Sequence, residues 1–211
     1  MNDKQDLPTM LFASREAWQH WLDEHHAVSD GLWLQLAKQG KGAASVTYEE
    51  ALQVGLCYGW IDGQKAPLDD VFWLQRFTPR RSGSRWSKAN RERVEALVAR
   101  GLMQPAGLRA VELAKADGRW DAAYAGSRTM TMPDDLRLAL ETQPEAAAFF
   151  ATLDATNRYA ILYRVQDARR AETRARRITA FVAMLCEGRT IHPMSRIADR
   201  PSPKPTRTAD A

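Results

Sequence analysis

The chain has 211 residues, of which 45% are hydrophobic and 27% are charged, and its formal net charge is +4. This composition is ordinary for a soluble globular protein, and the length suffices for a sizeable core, so a scaffold that depends on disulfides is excluded. The charge is concentrated, because residues 76–93 carry seven basic side chains and one acid. A patch of this kind favours a local anion site over a nucleic-acid coat.

The N-terminal sequence shows no charged-then-apolar signal pattern, and no apolar run approaches the ~18 residues that a membrane span needs. We therefore predict a cytoplasmic protein without membrane insertion. Cys57 and Cys186 lie far apart in sequence, each inside an apolar helical pattern. This arrangement predicts two buried free thiols rather than a disulfide.

The first part of the chain alternates between helix and strand patterns. Residues 1–10 are predicted to be a loose lead-in, and a helix is predicted to begin after a cap at Ser14. Alternating apolar positions predict a strand within Gly31–Gly40. The capping box TYEE, which begins at Thr47, predicts a helix that runs to about Tyr58.

The next segment continues this mixture. The sequence GWIDG (Gly59–Gly63) is predicted to form a short strand or turn, and VFWLQRF (Val71–Phe77) is rich in strand formers. Ser84 and Ser87 are alternative caps for a following helix. Pro105 is well placed in the first turn of the helix after that.

A linker is predicted at Trp120–Thr131, after which every pattern is helical. The predicted helix starts are Pro133, Pro144, Asp154 and Asp167. The fold class is therefore α+β, with a small N-terminal sheet of about three strands and helices, followed by a C-terminal all-helical part. The predicted boundaries are 11–125 for the N-terminal domain, 133–190 for the helical domain and 193–211 for a disordered tail.

Several catalytic and cofactor motifs are absent from the sequence. It contains no dinucleotide fingerprint, no phosphate loop and no nucleophile elbow. The four histidines are badly spaced for a metal site, and no cysteine pair is near them. We therefore predict no cofactor, no metal and no catalytic residue.

The basic segment Arg76–Arg93 is the strongest candidate for a binding site. Helix N-termini attract anions, and arginine recognises carboxylate or phosphate groups through two parallel hydrogen bonds. The candidate residues of this anion cradle are Arg80, Arg81, Ser84, Arg85, Trp86, Ser87 and Asn90. The alternative is a capped helix whose basic side chains only extend into water.

A second arginine cluster lies in the last predicted helix. The helical period places Arg174 on the stripe of apolar residues that includes Ile178, with Arg177 at its edge. A buried arginine must be paired, so one interpretation is a structural salt bridge, for example to Asp62. The other is that Arg174 and Arg177 face a ligand pocket between the two parts of the chain.

The segment YGWIDG has two glycines around Trp60 and Asp62, which indicates an unusual backbone path or a close approach. Trp60 and Asp62 are therefore candidates to line a pocket opposite Arg174. The alternative is a packed tryptophan at a turn that Asp62 stabilises.

Five segments in this order resemble one bacterial family, the YdeI/OmpD-associated or bacteriocin-protection proteins. They are TYEEALQVGLCYGWIDG, RFTPRRSGSRWSKAN, LVARGLMQPAG, AKADGRW and AETRARRITAFVAMLCEGRTIHP. The resemblance covers roughly Phe12–Pro193. It implies a role in resistance to bacteriocins or antimicrobial peptides and an association with an outer-membrane porin, and it carries no settled catalytic activity.

We therefore predict a non-catalytic cytoplasmic protein that binds a small anionic ligand and contributes to envelope-stress or antimicrobial-peptide resistance. An envelope protein is a further partner that the resemblance alone implies. Two alternatives stay open. One is a nucleic-acid-binding protein that uses the Arg76–Arg93 segment, and the other is an enzyme on an anionic substrate, with Asp62 as base and Arg174 orienting the substrate.

Overall fold

The computed structural model describes residues 7–194, and the predictions for residues 1–6 and 195–211 lie outside this range. The chain divides into two compact units, of which the first ends at Gly126 and the second begins at Ser127. A mixed sheet lies in the first unit, and the described part of the second unit is helical. The predicted α+β class is thereby confirmed.

The described part of the first unit contains four strands and four helices. In chain order they are β1 (Thr9–Leu11), α1 (Arg15–His25), β2 (Leu32–Ala37), α2 (Tyr48–Cys57), β3 (Trp60–Pro67), β4 (Phe72–Pro79), α3 (Lys88–Ala99) and α4 (Pro105–Ala116). Local sequence signals account for the predicted helix starts. The Ser14 side chain caps α1, and Thr47 and Glu50 form the reciprocal capping box of α2.

The sheet has the strand order β1-β2-β4-β3, with β1 parallel to β2 and the other pairs antiparallel. It has four strands rather than about three. The additional strand is β1, where Thr9 pairs with Trp33, so the predicted lead-in of residues 1–10 ends before Thr9. A strand of three residues is too short to show an alternating pattern, which explains why the sequence did not reveal it.

Strand β3 is longer than the short strand or turn that was predicted at Gly59–Gly63. Its pairing with β4 shifts register between Asp62 and Lys65, so an extra residue bulges from the strand. The buried Gln75 side chain donates from Nε2 to Gly63 O at 2.9 Å and to Gln64 O at 3.3 Å. The bulge interrupts the alternation of side chains and so conceals the strand in the sequence.

Aromatic side chains form the centre of the first core, between one face of the sheet and helices α1 and α2. Trp18 is fully buried, with its ring 6.1 Å from Trp60 and 5.7 Å from Phe77. Its Nε1 donates to Ala51 O at 3.1 Å, which ties α1 to α2. These contacts hold Trp60, at the first position of β3, rigidly in place.

Part of the predicted linker Trp120–Thr131 belongs to the first unit. Trp120 is buried, with its ring 4.9 Å from that of Trp86. The Tyr124 N–H donates to Trp86 O at 3.0 Å, and the Lys88 N–H donates to Tyr124 O at 2.8 Å. These contacts fasten the segment after α4 to the start of α3.

The second unit has four described helices, which are α5 (Asp134–Glu141), α6 (Pro144–Thr152), α7 (Ala155–Gln166) and α8 (Ala171–Cys186). Leu136, Ile161 and Leu185 are at the centre of its separate core. The predicted helix start at Asp167 is wrong. The Asp167 N–H still donates to Tyr163 O at 2.8 Å, so this residue ends α7 instead of opening α8. Within residues 7–194, no helix is long and apolar enough to cross a membrane.

The two thiols differ in exposure, and the prediction that both are buried is wrong for Cys186. Cys57 is 5% exposed at the end of α2, whereas Cys186 is exposed at the last position of α8. Leu185 takes the buried position there, and one further residue turns the side chain by about 100° towards solvent. Burial also raises the pKa of the Cys57 thiol.

A disulfide-exchange reagent is therefore expected to modify Cys186 of the native protein rapidly and Cys57 only on unfolding. The reason is that the reaction requires a thiolate that the reagent can reach. The Cys186→Ser variant should lose the fast reaction and keep the slow one. The reaction of the native protein with Ellman's reagent measures this directly. Two equally fast thiols would contradict the burial of Cys57.

Candidate functional site

A cavity of about 280 Å³ lies in the first unit, between the ends of several elements. Four arginines line it together with His26, Tyr58 and a set of apolar residues. The four arginines are Arg80, Arg81, Arg109 and Arg119. None of the described residues around the cavity carries a carboxylate, so the lining has an excess of positive charge.

The turn at Gly59 brings these elements together. Gly59 has φ of +76°, a conformation that favours glycine, and a Cβ there would lie 3.1 Å from Ala106 O. Its carbonyl accepts a hydrogen bond of 2.9 Å from the Arg80 N–H. One glycine therefore places the start of β3, the end of β4 and helix α4 around the same cavity.

The Arg80 guanidinium is the most constrained group of the site. It stacks on the Trp86 ring at 3.6 Å from the ring centre, and NH1 donates to Arg85 O at 3.1 Å. Its Nε and NH2 are shielded from solvent and find no acceptor among the residues described. Burial lowers the pKa of Arg80 to about 10, against the raising effects of Asp62 and Tyr124.

The other three arginines fall into two types. Arg119 is neutralised by Asp117, with NH2 at 2.7 Å from Oδ2, and its NH1 donates to Ser84 O at 2.9 Å. Arg81 and Arg109 are exposed, and neither forms an ion pair with any residue in the range 7–194. The unpaired positive charge of the cavity therefore comes from Arg80, Arg81 and Arg109.

His26 and Tyr58 add polar groups to the lining. The Nδ1 of His26 lies 2.8 Å from Leu22 O, which assigns the proton of a neutral ring to Nδ1 and leaves Nε2 as an acceptor. The Tyr58 hydroxyl donates to Asp23, and burial together with this carboxylate raises its pKa well above the ordinary value. Tyr58 therefore stays protonated at neutral pH.

Trp60 and Asp62, predicted to share a pocket, have different environments. Trp60 lines the cavity and donates from Nε1 to His26 O at 3.2 Å. Asp62 is not among the lining residues, and it accepts a hydrogen bond of 2.8 Å from the Tyr48 hydroxyl. Burial and this carboxylate raise the pKa of Tyr48. The cavity therefore includes Trp60 but not Asp62.

The remaining residues of the predicted cradle build the turn that presents the arginines. The Ser84 Oγ accepts a hydrogen bond of 2.9 Å from the Arg81 N–H, and Ser87 caps α3 by accepting from the Asn90 N–H at 3.1 Å. Trp86 is buried beneath Arg80, and Asn90 is also buried. None of these four side chains lines the cavity. They contribute to it by fixing the turn that carries Arg80 and Arg81.

The basic segment Arg76–Arg93 is divided rather than continuous. Arg93 pairs with Glu49 of α2 at 3.1 Å, and Arg91 lies 3.6 Å from Glu95 of the same helix, so acids of α2 and α3 offset the charge of its second half. Phosphate backbones need arrays of unpaired basic groups. This division favours a local anion site over an extended nucleic-acid surface.

Arg174 and Arg177 belong to the second unit, where acceptors of that unit hold them. Arg174 forms two hydrogen bonds with Asp135, of which NH2 to Oδ1 is 2.8 Å, and donates from NH1 to Val165 O at 3.0 Å. Arg177 donates to Arg164 O and lies 3.4 Å from Asp167 Oδ2. The suggested partner Asp62 is therefore wrong, because Asp135 fills that role.

Replacing Arg174 with alanine is expected to lower the free energy of unfolding by about 1–2 kcal/mol, since a charge-assisted bidentate pair at a partly exposed site is lost. Arg174 holds the pKa of Asp135 below its ordinary value. The pair therefore stabilises the fold above about pH 4 and loses its effect as the pH falls through the lowered pKa. Urea unfolding followed by circular dichroism measures both effects. Arg176→Ala, at an exposed position of α8, is the control and should be neutral.

Sequence reasoning missed His26, Tyr58, Arg109 and Arg119 as members of the site. Each lies in a helix or turn whose local pattern explains it without a ligand, and 93 positions separate His26 from Arg119. Only the packing of α4 against the turn at Gly59 brings them together. The one signal in the sequence was the large number of arginines. That number did not indicate which arginines lie together at the cavity.

Fold and cavity define a two-unit α+β protein with an arginine-lined cavity in its first unit. Residues 10–110 match a family described as a domain of unknown function (DUF8412). Residues 129–188 match the family described as Bacteriocin-protection, YdeI or OmpD-Associated. The match of residues 129–188 is in line with the family resemblance seen in the sequence. Neither the curated proteins nor the solved structures contain a match.

Proposed function

We propose that the protein binds a small anionic ligand in the arginine-lined cavity of its first unit. The observation that carries this proposal is the state of Arg80, whose Nε and NH2 are shielded from solvent without an acceptor. Leaving buried donors unpaired costs about 1–3 kcal/mol each, and more for a charged group. A bound anion would compensate the buried charge of Arg80, whose side chain lines the cavity.

The charge distribution supports an anion in particular. Among residues 7–194, Arg81 and Arg109 have no ion-pair partner, and no carboxylate lines the cavity that they share. A cleft of one sign with low-dielectric walls concentrates ions of the opposite sign. The planar guanidinium forks of these residues match carboxylate and phosphate oxygens in two parallel hydrogen bonds.

We propose that the protein binds this ligand without catalysing a reaction on it. The enzyme alternative needs Asp62 as a base and Arg174 as an orienting group. In the structure, Asp62 accepts from Tyr48, and Arg174 is engaged by Asp135. These contacts favour structural roles for both residues.

The cellular role is proposed from the family match of residues 129–188. We expect a cytoplasmic protein that contributes to resistance against bacteriocins or other antimicrobial peptides, with an envelope protein as a partner. A deletion strain complemented with the wild-type protein should survive a peptide challenge better than one complemented with the Arg109→Gln variant. Equal survival of the two strains would show that resistance does not depend on the cavity.

A thermal-shift screen tests ligand binding, with phosphate esters, carboxylates, nucleotides and short peptides as probes. A ligand at about 100 times its dissociation constant stabilises the folded protein by about 2.7 kcal/mol. The shift should disappear in Arg109→Gln and persist in Arg176→Gln, which changes the same charge in the second unit. This pair of variants also controls for the general stabilising effect of phosphate and sulfate.

Two outcomes would overturn the proposal. One is that no anion stabilises the protein, and the other is that Arg109→Gln and Arg176→Gln respond equally. Tight retention on heparin, with affinity that falls steeply as salt rises, would instead support the nucleic-acid alternative.

A further inference from the structure

The cavity lining combines two chemically different kinds of side chain. Four arginines supply positive charge, and Ala106, Ala110 and Leu113 supply apolar surface from α4, the helix that also carries Arg109. The spacing of these three residues places them on one face of α4. Leu113 is 64% exposed and borders the cavity. The lining therefore offers both positive charge and apolar surface to a ligand.

The size of the cavity exceeds that of a simple inorganic anion. A volume of about 280 Å³ corresponds to about nine water molecules at about 30 Å³ each. It also lies just below the range of about 300–1,000 Å³ that drug-sized small-molecule sites occupy, which suits a small ligand. A phosphate group held by the arginines would leave space along α4 for a small organic body.

The charge of the lining selects between classes of anion. Asp117 neutralises Arg119, so three unpaired guanidinium groups remain around the cavity. A phosphomonoester carries about −1.5 to −2 at neutral pH, whereas a single carboxylate carries one negative charge. The phosphomonoester therefore offsets more of the positive charge around the cavity and offers more acceptor oxygens.

We propose that the ligand is an organic phosphomonoester whose phosphate binds the arginines and whose apolar body packs against Ala110 and Leu113. This inference rests on the proposed function, because it names the class of ligand for the same cavity. It assigns two separable roles to α4. Arg109 contributes to binding of any anion, and Leu113 contributes only when the anion has an apolar body.

Isothermal titration calorimetry with phenyl phosphate, inorganic phosphate and benzoate separates these roles. Phenyl phosphate should bind at least tenfold more tightly than either of the other two probes. The Leu113→Ser variant should lower the affinity for phenyl phosphate several-fold and leave the affinity for inorganic phosphate within twofold of the wild-type value. Arg109→Gln should lower the affinity for both phenyl phosphate and inorganic phosphate. Leu108→Ser is the matched control, because Leu108 is an exposed leucine of α4 outside the cavity lining.

The outcomes distinguish the two levels of the proposal. If none of the three probes binds, the anion site itself fails. If inorganic phosphate binds as tightly as phenyl phosphate and Leu113→Ser changes neither, the anion site stands and the apolar contact is wrong. If benzoate binds most tightly, the phosphomonoester class is wrong.

Discussion

The Arg80→Met variant is expected to lose binding of phenyl phosphate while it remains folded, with a free energy of unfolding within about 1 kcal/mol of wild type or higher. Burial of the guanidinium is unfavourable, since two of its donors have no acceptor in the part of the chain described here. Burying a charge without a compensating partner is unfavourable, so an apolar side chain of similar volume removes that unfavourable term. Methionine also retains packing against the Trp86 ring.

The pH dependence follows from the lowered pKa of Arg80, which is about 10 in the folded protein. Between this value and the ordinary arginine pKa of about 12.5 or above, Arg80 holds its proton more firmly in the unfolded chain than in the folded chain. The contribution of Arg80 to stability therefore rises with pH in that window, and its unfavourable burial acts in full below about pH 10. The raised pKa values of Tyr48 and Tyr58 act in the opposite direction in the same window, so the comparison is made between wild type and the variant. The methionine variant should lack the contribution of Arg80.

Urea unfolding and calorimetry of the same preparations measure both quantities. Arg81→Met is the matched control at the neighbouring exposed position, where the loss of charge should weaken binding only partly and leave stability unchanged. A variant that unfolds easily would show that Arg80 is structural. A variant that binds phenyl phosphate normally would remove Arg80 from the site.

The Gly107→Ala variant is expected to lower the free energy of unfolding by about 3 kcal/mol. A Cβ at this position would lie 2.1 Å from Cys57 O and 2.8 Å from the Cys57 carbonyl carbon. Backbone atoms cannot move aside as a flexible side chain can, so α4 must shift from the end of α2. The gain of about 1 kcal/mol in helix propensity from glycine to alanine is too small to compensate.

Tryptophan fluorescence is a suitable probe for this unfolding, because all seven tryptophans lie in the first 126 residues. Gly83→Ala is the control, since a Cβ there meets no atom within 4 Å, and it should be nearly neutral. Because α4 carries Arg109 and Leu113, Gly107→Ala should also weaken binding of phenyl phosphate. Unchanged stability would contradict the close packing of α4 on Cys57.

Local signals made part of this fold predictable from the sequence. The caps at Ser14 and Thr47 depend on hydrogen bonds within one turn, so their residue types mark the helix starts. The strand in Gly31–Gly40 alternates cleanly because one face of the sheet packs on helices. The helical period also placed Arg174 correctly on the inner side of α8, where it is half-buried.

Features that depend on distant partners were not predictable. Asp135 lies 39 positions before Arg174, and no local pattern connects them. Strand β1 is too short to have a period, and the bulge after Asp62 breaks the period of β3. The candidate site is the clearest case, because Arg80 and Arg81 were predicted from a local cluster. Arg109 was missed because only tertiary packing brings it to the cavity.

Titration of ¹⁵N-labelled protein with phenyl phosphate, followed through the indole N–H signals, tests the central claim most directly. Trp60 lines the cavity, and half-buried Trp33 of β2 does not. The Trp60 signal should shift saturably in the wild-type protein and stay unchanged in Arg80→Met, while the Trp33 signal stays unchanged in both. A Trp60 signal that does not move while phenyl phosphate saturates the protein would contradict the assignment of the anion to this cavity.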